Sequence, residues 1–213
     1  MLIQPRQKLI MIGDSITDCE RARPVGEGLF GAIGKGYVAQ VDALLMTAHP
    51  QAAVRVVNMG SSGNTVRDLA ARWQSDVLDL RPDWLSIMIG INDVWRQFDL
   101  PRQGEIHVQL DEYQRVLDDL VGRTKPTVRG LVLMTPFYIE PNRDAPMRKR
   151  MDAYGAAVAA VAKRHGAILV DVQAAFDRLT AHQPVESIAW DRVHPNHIGH
   201  MAIARAFVAA IEG

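Results

Sequence analysis

Three residues of this chain have the types and the chain order that nucleophilic acyl transfer requires. Ser15 follows a short apolar run, and Asp191 and His194 lie three positions apart near the C-terminus. A serine hydroxyl needs a base to become a nucleophile, and the base needs an acid that fixes its tautomer. Serine, then aspartate, then histidine is one chain order of this triad, and one loop can hold Asp191 beside His194. The simpler alternative is that Asp14 and Ser15 only cap a helix.

Five apolar runs of strand length alternate with segments of helical periodicity, and these elements must position the candidate residues. Ser15 follows the first run, Gly60 the second and Asn92 the third, each at a turn that contains glycine. In an open parallel sheet the carboxyl ends of the strands lie at one edge, where ligands bind. The alternation predicts a three-layer α/β/α domain with a five-stranded parallel sheet, in which these three turns meet.

Periodicity, caps and breakers predict the bounds of these elements. Strands are predicted at 9–12, 53–58, 84–89, 131–134 and 167–172. Helices are predicted at 37–48, from 65 towards 80, at about 105–123, at 146–165, in a short segment after the fifth strand, and at 198–211. The segments 18–36 and 183–196 and the polar stretch after Asp93 are predicted to be loops. No linker or repeat interrupts the pattern, so residues 1–213 are predicted to form one domain.

The composition excludes several classes of function. The 24 basic residues balance 24 acidic ones, so there is no basic field for nucleic acid or an anionic membrane. The single Cys19 rules out an intrachain disulfide and a thiolate zinc site. The first residues lack the apolar core of a signal peptide, and no run is long enough to span a bilayer. The sequence therefore predicts a cytoplasmic protein that binds neither nucleic acid nor membrane.

Four motifs, in register along the chain, resemble the four blocks of the GDSL/SGNH hydrolases. They are Gly13-Asp14-Ser15, Asn58-x-Gly60-x-x-Gly63-Asn64, Gly90-x-Asn92-Asp93 and Asp191-x-x-His194-Pro195. The sequence around them is similar to intracellular acetyl-xylan esterases of that family. The resemblance implies a flavodoxin-like five-stranded sheet, esterase activity without a cofactor, and a homo-oligomer.

The resemblance also implies a role for each motif residue. Ser15 would attack the ester carbonyl, His194 would carry the proton to the leaving alcohol, and Asp191 would orient His194. The backbone N–H groups of Ser15 and Gly60 and the side-chain amide of Asn92 would form the oxyanion hole. Taken singly, Asp191 could cap a turn, Asn92 could occupy a left-handed conformation, and Gly60 could serve backbone geometry alone.

A second cluster of histidines raises the question of a metal. His194, His197 and His200 recur every third residue, which is compatible with a zinc site. Pro195 disfavours a single helix for all three, and no cysteine or HExxH pattern supports a metal. No metal is predicted, and His197 and His200 are interpreted as helix-cap or surface residues.

Aromatic residues are predicted at the same edge of the sheet. Trp95, Tyr138 and Trp190 fall in the predicted loops after the third, fourth and fifth strands, and all three are candidate substrate contacts. Trp190 adjoins Asp191 and is interpreted as a pocket wall or sugar platform, whereas Trp95 and Tyr138 could equally be packing residues. Asp14 and Asp93 are predicted to be acceptors that brace their loops.

The sequence thus predicts a serine esterase that removes small acyl groups, above all acetyl, from xylo-oligosaccharides. Polar loops after the first two strands suit a hydroxyl-rich ligand better than the apolar acyl channel of a lipase. An arylesterase, lysophospholipase or thioesterase with the same triad is the alternative enzyme. A binding module on an inactive hydrolase scaffold is the alternative of a different class.

Overall fold

A five-stranded parallel sheet forms the centre of the protein, and the computed structural model describes all residues from 1 to 213. The strands are β1 (Lys8–Gly13), β2 (Arg55–Gly60), β3 (Trp84–Met88), β4 (Gly130–Met134) and β5 (Ile168–Val170). Their order is β2-β1-β3-β4-β5, and every pair is parallel. Because the chain leaves β1 towards β2 and later returns to its other side at β3, the topological switch point lies at the carboxyl end of β1.

Eight α-helices cover the two faces of the sheet. They are α1 (Ser15–Asp18), α2 (Tyr37–Ala48), α3 (Val66–Ala71), α4 (Ile91–Asp99), α5 (Leu110–Thr124), α6 (Pro146–His165), α7 (Val172–Thr180) and α8 (His197–Glu212). Helix α8 packs against α2 and α7 in one layer, while α5 and α6 pack together with α3 and α4 in the other. The predicted α/β/α architecture with five parallel strands is confirmed.

The strands are apolar because both of their faces are covered. Leu9, Ile10, Met11 and Ile12 in β1 are all completely buried. Continuous apolar runs are typical of parallel sheets, and burial of each such side chain stabilises the fold by about 1.5–3 kcal/mol. The buried core that holds β1 in place therefore also fixes the position of the turn that follows it.

None of the helices is both long enough and apolar enough to cross a membrane.

Several predicted bounds were wrong, and α4 matters most for the site. The stretch after Asn92 is helical rather than a polar loop, because Ile91, Val94, Trp95 and Phe98 recur at helical spacing within it. Trp95 consequently lies on a helix.

The remaining differences concern where elements begin and end. The helix predicted from 65 towards 80 is divided into α3 and a π-helical turn at Gln74–Leu78. The helix predicted from about 105 starts at Leu110, after a separate 3₁₀ turn at Gly104–Ile106. Strand β2 begins and ends two residues later than predicted, since Ala53 has a left-handed conformation (φ 44°). Strand β5 is shorter, because Asp171 caps α7.

Candidate active site

The serine, histidine and aspartate that the sequence singles out form one chain of hydrogen bonds. Ser15 Oγ lies 3.0 Å from His194 Nε2, and His194 Nδ1 lies 2.6 Å from Asp191 Oδ2. His194 remains 44% exposed, so solvent and a ligand can reach it, whereas the Asp191 side chain is only 13% exposed. In this arrangement the imidazole can accept the serine proton on one nitrogen while the carboxylate holds the proton on the other.

The turn that carries Asp191 and His194 is held by the aspartate itself. Asp191 Oδ1 accepts the backbone N–H groups of Val193 at 3.0 Å and His194 at 2.8 Å. Partial burial raises the pKa of Asp191, but the hydrogen bonds from the His194 backbone, the His194 ring and Val193 outweigh it. The pKa of Asp191 therefore lies below its usual value, and its carboxylate is charged at neutral pH.

Tight packing at the end of β1 presents Ser15 at the switch point. A Cβ on Gly13 would come within 2.3 Å of both the Met88 carbonyl oxygen and Thr17 Oγ1, so only glycine fits there. Asp14 then caps α1 by accepting the Ile16 N–H at 3.0 Å, and Ser15 is the first residue of that helix. Asp14 therefore caps α1 and in doing so places Ser15 at the site, so the capping role does not exclude Ser15 as the nucleophile.

Two of the three predicted oxyanion donors have a free N–H. The Ser15 backbone N–H makes no hydrogen bond within the protein. Asn92 lies in the first turn of α4, and its amide nitrogen donates one hydrogen to the Asn64 carbonyl at 3.0 Å, which leaves the second hydrogen free. A group with free donors can stabilise negative charge that develops on a reacting oxygen.

The geometry of Gly60 contradicts its predicted donor role. Its N–H already donates to Asn58 Oδ1 at 2.9 Å, and its Cα faces the backbone of α1, where a Cβ would lie 2.1 Å from the Asp18 nitrogen. In the turn that follows, the N–H groups of residues 61, 62 and 64 all have acceptors. Only the N–H of Gly63 is free, and this residue is exposed with φ of 81°.

Asp14 and Asp93 are buried acceptors, as predicted. Asp14 receives the Ile16 N–H, and Asp93 Oδ1 receives the Val66 N–H at 3.0 Å, which ties α4 to the start of α3. Asp93 Oδ2 has no hydrogen-bond partner. Burial raises the pKa of each carboxyl to about 7.

The buried Asp93 should make stability depend on pH. Its pKa is 3.8 as a free side chain and about 7 in the folded protein, so between these values only the unfolded chain releases the proton. The free energy of unfolding then falls as pH rises through this window, by about 4 kcal/mol for a complete shift. In Asp93→Asn the amide oxygen still accepts the Val66 N–H, so we expect a smaller loss of Tm between about pH 5 and pH 8. Surface Asp119→Asn is the control, and parallel pH profiles for Asp93→Asn and wild type would contradict the expectation.

The three histidines do not converge, and His200 lies in a different place from the one predicted. His200 is buried, accepts the Tyr37 N–H on Nδ1 at 3.1 Å, and contacts Cys19 Sγ through Nε2 at 3.3 Å. Burial lowers its pKa to about 4, so the ring is neutral. Its burial between α1 and α2 overturns the interpretation as a surface residue, whereas its bond to the first N–H of α2 is a helix-capping bond, made to a neighbouring helix. His197, in contrast, is exposed at the start of α8, and no group of three or more His, Cys, Asp or Glu side chains could hold a metal ion.

The candidate aromatic contacts differ in their surroundings. The Trp95 ring meets the His194 ring edge-on, with 5.8 Å between centroids, so Trp95 lies directly at the triad. Trp190 is 85% exposed, and Tyr138 is half-buried. Trp95 therefore has the most direct contact with the candidate chemistry, although it was the one placed in the wrong kind of element.

Two supporting residues of the Asp191 turn had no signal in the sequence. Arg192 has a left-handed conformation (φ 64°), its carbonyl accepts the Ile139 N–H at 2.9 Å, and its guanidinium pairs with Glu140. The segment after β4 thereby holds the turn that carries Asp191 and His194.

The fold and this site define a class of enzyme. The sequence profile of the GDSL-like lipase/acylhydrolase family matches residues 11–202, and the chain therefore belongs to this family of carboxylic ester hydrolases. An acetylxylan esterase from Geobacillus stearothermophilus is 57% identical over 211 residues, which are 99% of this chain and 96% of that relative.

Solved structures agree closely with this fold. The crystal structure of Axe2, an acetylxylan esterase from Geobacillus stearothermophilus, matches with a TM-score of 0.98 and 57% identity over 100% of this chain and 97% of the other. Catalytic mutants of Axe2 in which a serine, an aspartate or a histidine is replaced (S15A, D191A and H194A) match with TM-scores of 0.98 or 0.99. LAE5, an α/β hydrolase enzyme from the metagenome of Lake Arreo in Spain, matches with a TM-score of 0.98 at 56% identity, over 100% and 98% of the chains.

Proposed function

We propose that this protein is a serine esterase that removes acetyl groups from acetylated xylo-oligosaccharides. The observation that carries the proposal is the continuous Ser15–His194–Asp191 hydrogen-bond chain at the carboxyl end of β1. Two further findings support it: the chain's membership of an ester hydrolase family, and its 57% identity to an acetylxylan esterase. The catalytic mutants of Axe2 carry their substitutions at a serine, an aspartate and a histidine with the same numbers as these three residues.

The geometry suits a two-step acyl transfer. Ser15 Oγ forms a bond to the acetyl carbonyl carbon while its proton moves to His194 Nε2, and the negative Asp191 stabilises the imidazolium. The tetrahedral intermediate collapses as the ester C–O bond breaks, and His194 gives the proton to the departing sugar hydroxyl. Water, deprotonated by His194, then attacks the acetyl-serine, and acetate and free Ser15 are released.

The proposed oxyanion hole is a revision of the predicted one. Its donors are the Ser15 N–H, the free amide hydrogen of Asn92 and the N–H of Gly63, which replaces that of Gly60. The support for Gly63 is that its N–H has no acceptor within the protein, whereas Gly60 donates to Asn58. Each donor of this kind stabilises the transition state by about 2.7–4 kcal/mol in a comparable enzyme.

An acyl-chain series tests the substrate assignment. We expect kcat/KM to fall from acetyl to butyryl to octanoyl esters, because an acetyl site offers no apolar channel for a longer chain. In a lipase, each CH₂ that enters such a channel would add about 0.8 kcal/mol of binding, and the trend would rise. A rising trend, or no acetate release from acetylated xylo-oligosaccharides, would favour the arylesterase, lysophospholipase or thioesterase alternative while leaving the triad intact.

Trp190, Tyr138 and Trp95 remain candidate substrate contacts within this proposal. The exposed indole of Trp190 lies next to Asp191 in the chain and could stack on a sugar ring. Its replacement by alanine would then lower kcat/KM for acetylated xylo-oligosaccharides more than for a small aryl acetate, which serves as the internal control. Equal losses for both substrates would rule out the sugar platform.

We further propose that residues 1–213 form a single catalytic domain that acts in the cytoplasm as a homo-oligomer. The family profile spans 11–202, and Cys19 is the only cysteine. Large apolar side chains such as Leu29, Phe30 and Trp190 are strongly exposed, which favours association. Light scattering at micromolar concentration is expected to give a mass above the 23.6 kDa of one chain, and a monomeric mass would contradict the assembly.

A further inference from the structure

A single arginine outside the four motifs bonds three segments that flank the proposed oxyanion hole. Arg72 is the residue that ends α3, and its side chain is 17% exposed. Its guanidinium donates from Nη2 to the Gly13 carbonyl at 2.9 Å, from Nη1 to the Met59 carbonyl at 2.7 Å, and from Nε to Asn64 Oδ1 at 2.6 Å. It also pairs with Asp76 at 2.8 Å.

These acceptors lie in the segments that lead to the three proposed donors. Gly13 closes β1, two positions before Ser15, and Met59 is the penultimate residue of β2. Asn64 ends the turn that contains Gly63, and its own carbonyl receives the Asn92 amide hydrogen. The Gly13 carbonyl additionally accepts the Ser61 N–H at 3.0 Å. One planar group therefore links the ends of two strands and the turn after β2.

We propose that Arg72 is a positioning residue for catalysis, which holds the Ser15 N–H, the Gly63 N–H and the Asn92 amide in one fixed arrangement. The inference rests on the proposed serine esterase function. A guanidinium holds its donors on three nitrogens in a rigid plane, and here each nitrogen serves a different acceptor, whereas lysine carries all its donors on one nitrogen and cannot reproduce these directions. Oxyanion donors act because they are preorganised, and a displacement of about 1 Å can cost on the order of 100-fold in rate.

The chain offers two matched controls. Arg67 lies on the same helix and makes a comparable set of bonds, to Glu112 and to the carbonyls of Glu105 and His107, but none to the site. Asp76 pairs with Arg72 itself, so D76N removes the negative charge of that ion pair and leaves the three bonds to the strand ends and turn.

The test measures kcat and KM with an aryl acetate, and the Tm of each variant. It also measures the affinity of each variant for a phenylboronic acid, which forms a tetrahedral adduct on a reactive serine. We expect R72M to lower kcat by roughly 10- to 100-fold, with KM within about threefold and boronate affinity reduced in parallel with kcat. R72K should be nearly as impaired as R72M. R67M and D76N should keep kcat within about twofold of wild type, even if either substitution lowers the Tm.

Loss of Tm in R72M without loss of kcat, or wild-type kcat in R72K, would overturn the inference. Should R72M not fold, N64A removes only the acceptor of Arg72 Nε and is expected to lower kcat several-fold, and wild-type kcat there would also overturn it. An activity that survives S15A would overturn both the proposed function and this inference. A Ser15-dependent activity that R72M leaves unchanged would overturn the inference alone.

Discussion

Ser15→Ala is expected to reduce kcat for an aryl acetate by about 10⁴- to 10⁶-fold while the protein stays folded. The nucleophile would be gone, and only the oxyanion donors and substrate binding would remain to accelerate attack by water. The substitution deletes one oxygen from a half-buried side chain, and the bond to His194 is the only side-chain hydrogen bond that it removes. The Tm should therefore stay close to that of wild type.

A matched control separates this effect from a general sensitivity to serine replacement. Ser187 lies in the loop between α7 and α8, and its hydroxyl donates to the Pro184 carbonyl and makes no hydrogen bond to the triad. Ser187→Ala should retain kcat within about twofold. Activity of Ser15→Ala within tenfold of wild type, in a preparation free of contaminating esterase, would exclude Ser15 as the nucleophile.

Asn92→Ala should lower kcat by roughly 10²- to 10³-fold and change KM much less. The amide hydrogen would stabilise charge that exists only in the transition state, so its loss should appear in kcat rather than in substrate binding. The amide is already held in place by the Asn64 carbonyl, so the donor is preorganised. Steady-state kinetics with an aryl acetate measure both constants.

The control for Asn92 is Asn142→Ala, at an exposed asparagine whose side chain only accepts the Asp144 N–H. It should leave both constants within about twofold of wild type. A loss in Asn92→Ala that fell mainly on KM would make Asn92 a substrate-binding residue instead of an oxyanion donor.

The parts of the site that could be predicted from sequence are those that depend on local spacing. Asp191 and His194 are three positions apart, and Ser15 directly follows a buried strand, so the chain order and the strand pattern place all three at one edge of the sheet. The five strands were recognisable because each is a short apolar run between breakers. These features depend on periodicity and neighbouring residues, and both are visible in the sequence.

Two of the errors at the site, at Gly60 and His200, concern polar groups whose surroundings are set by tertiary contacts. The family resemblance implied that Gly60 is a donor, but its N–H already donates to the Asn58 side chain in the folded protein. The burial of His200 depends on α8 packing against α2, which no local pattern reveals. Arg72 reaches Gly13 across 59 positions of sequence, so its contacts follow only from the tertiary arrangement.

Labelling with a fluorophosphonate, followed by peptide mapping and an assay of acetate release from acetylated xylo-oligosaccharides, tests the central claim most directly. The reagent phosphonylates only a serine that a neighbouring base has activated, and its adduct is stable enough to locate. The proposed mechanism predicts one adduct per chain, on Ser15, with acetate release lost in proportion to labelling. Full acetate release from completely labelled protein, or an adduct at another residue, would contradict it.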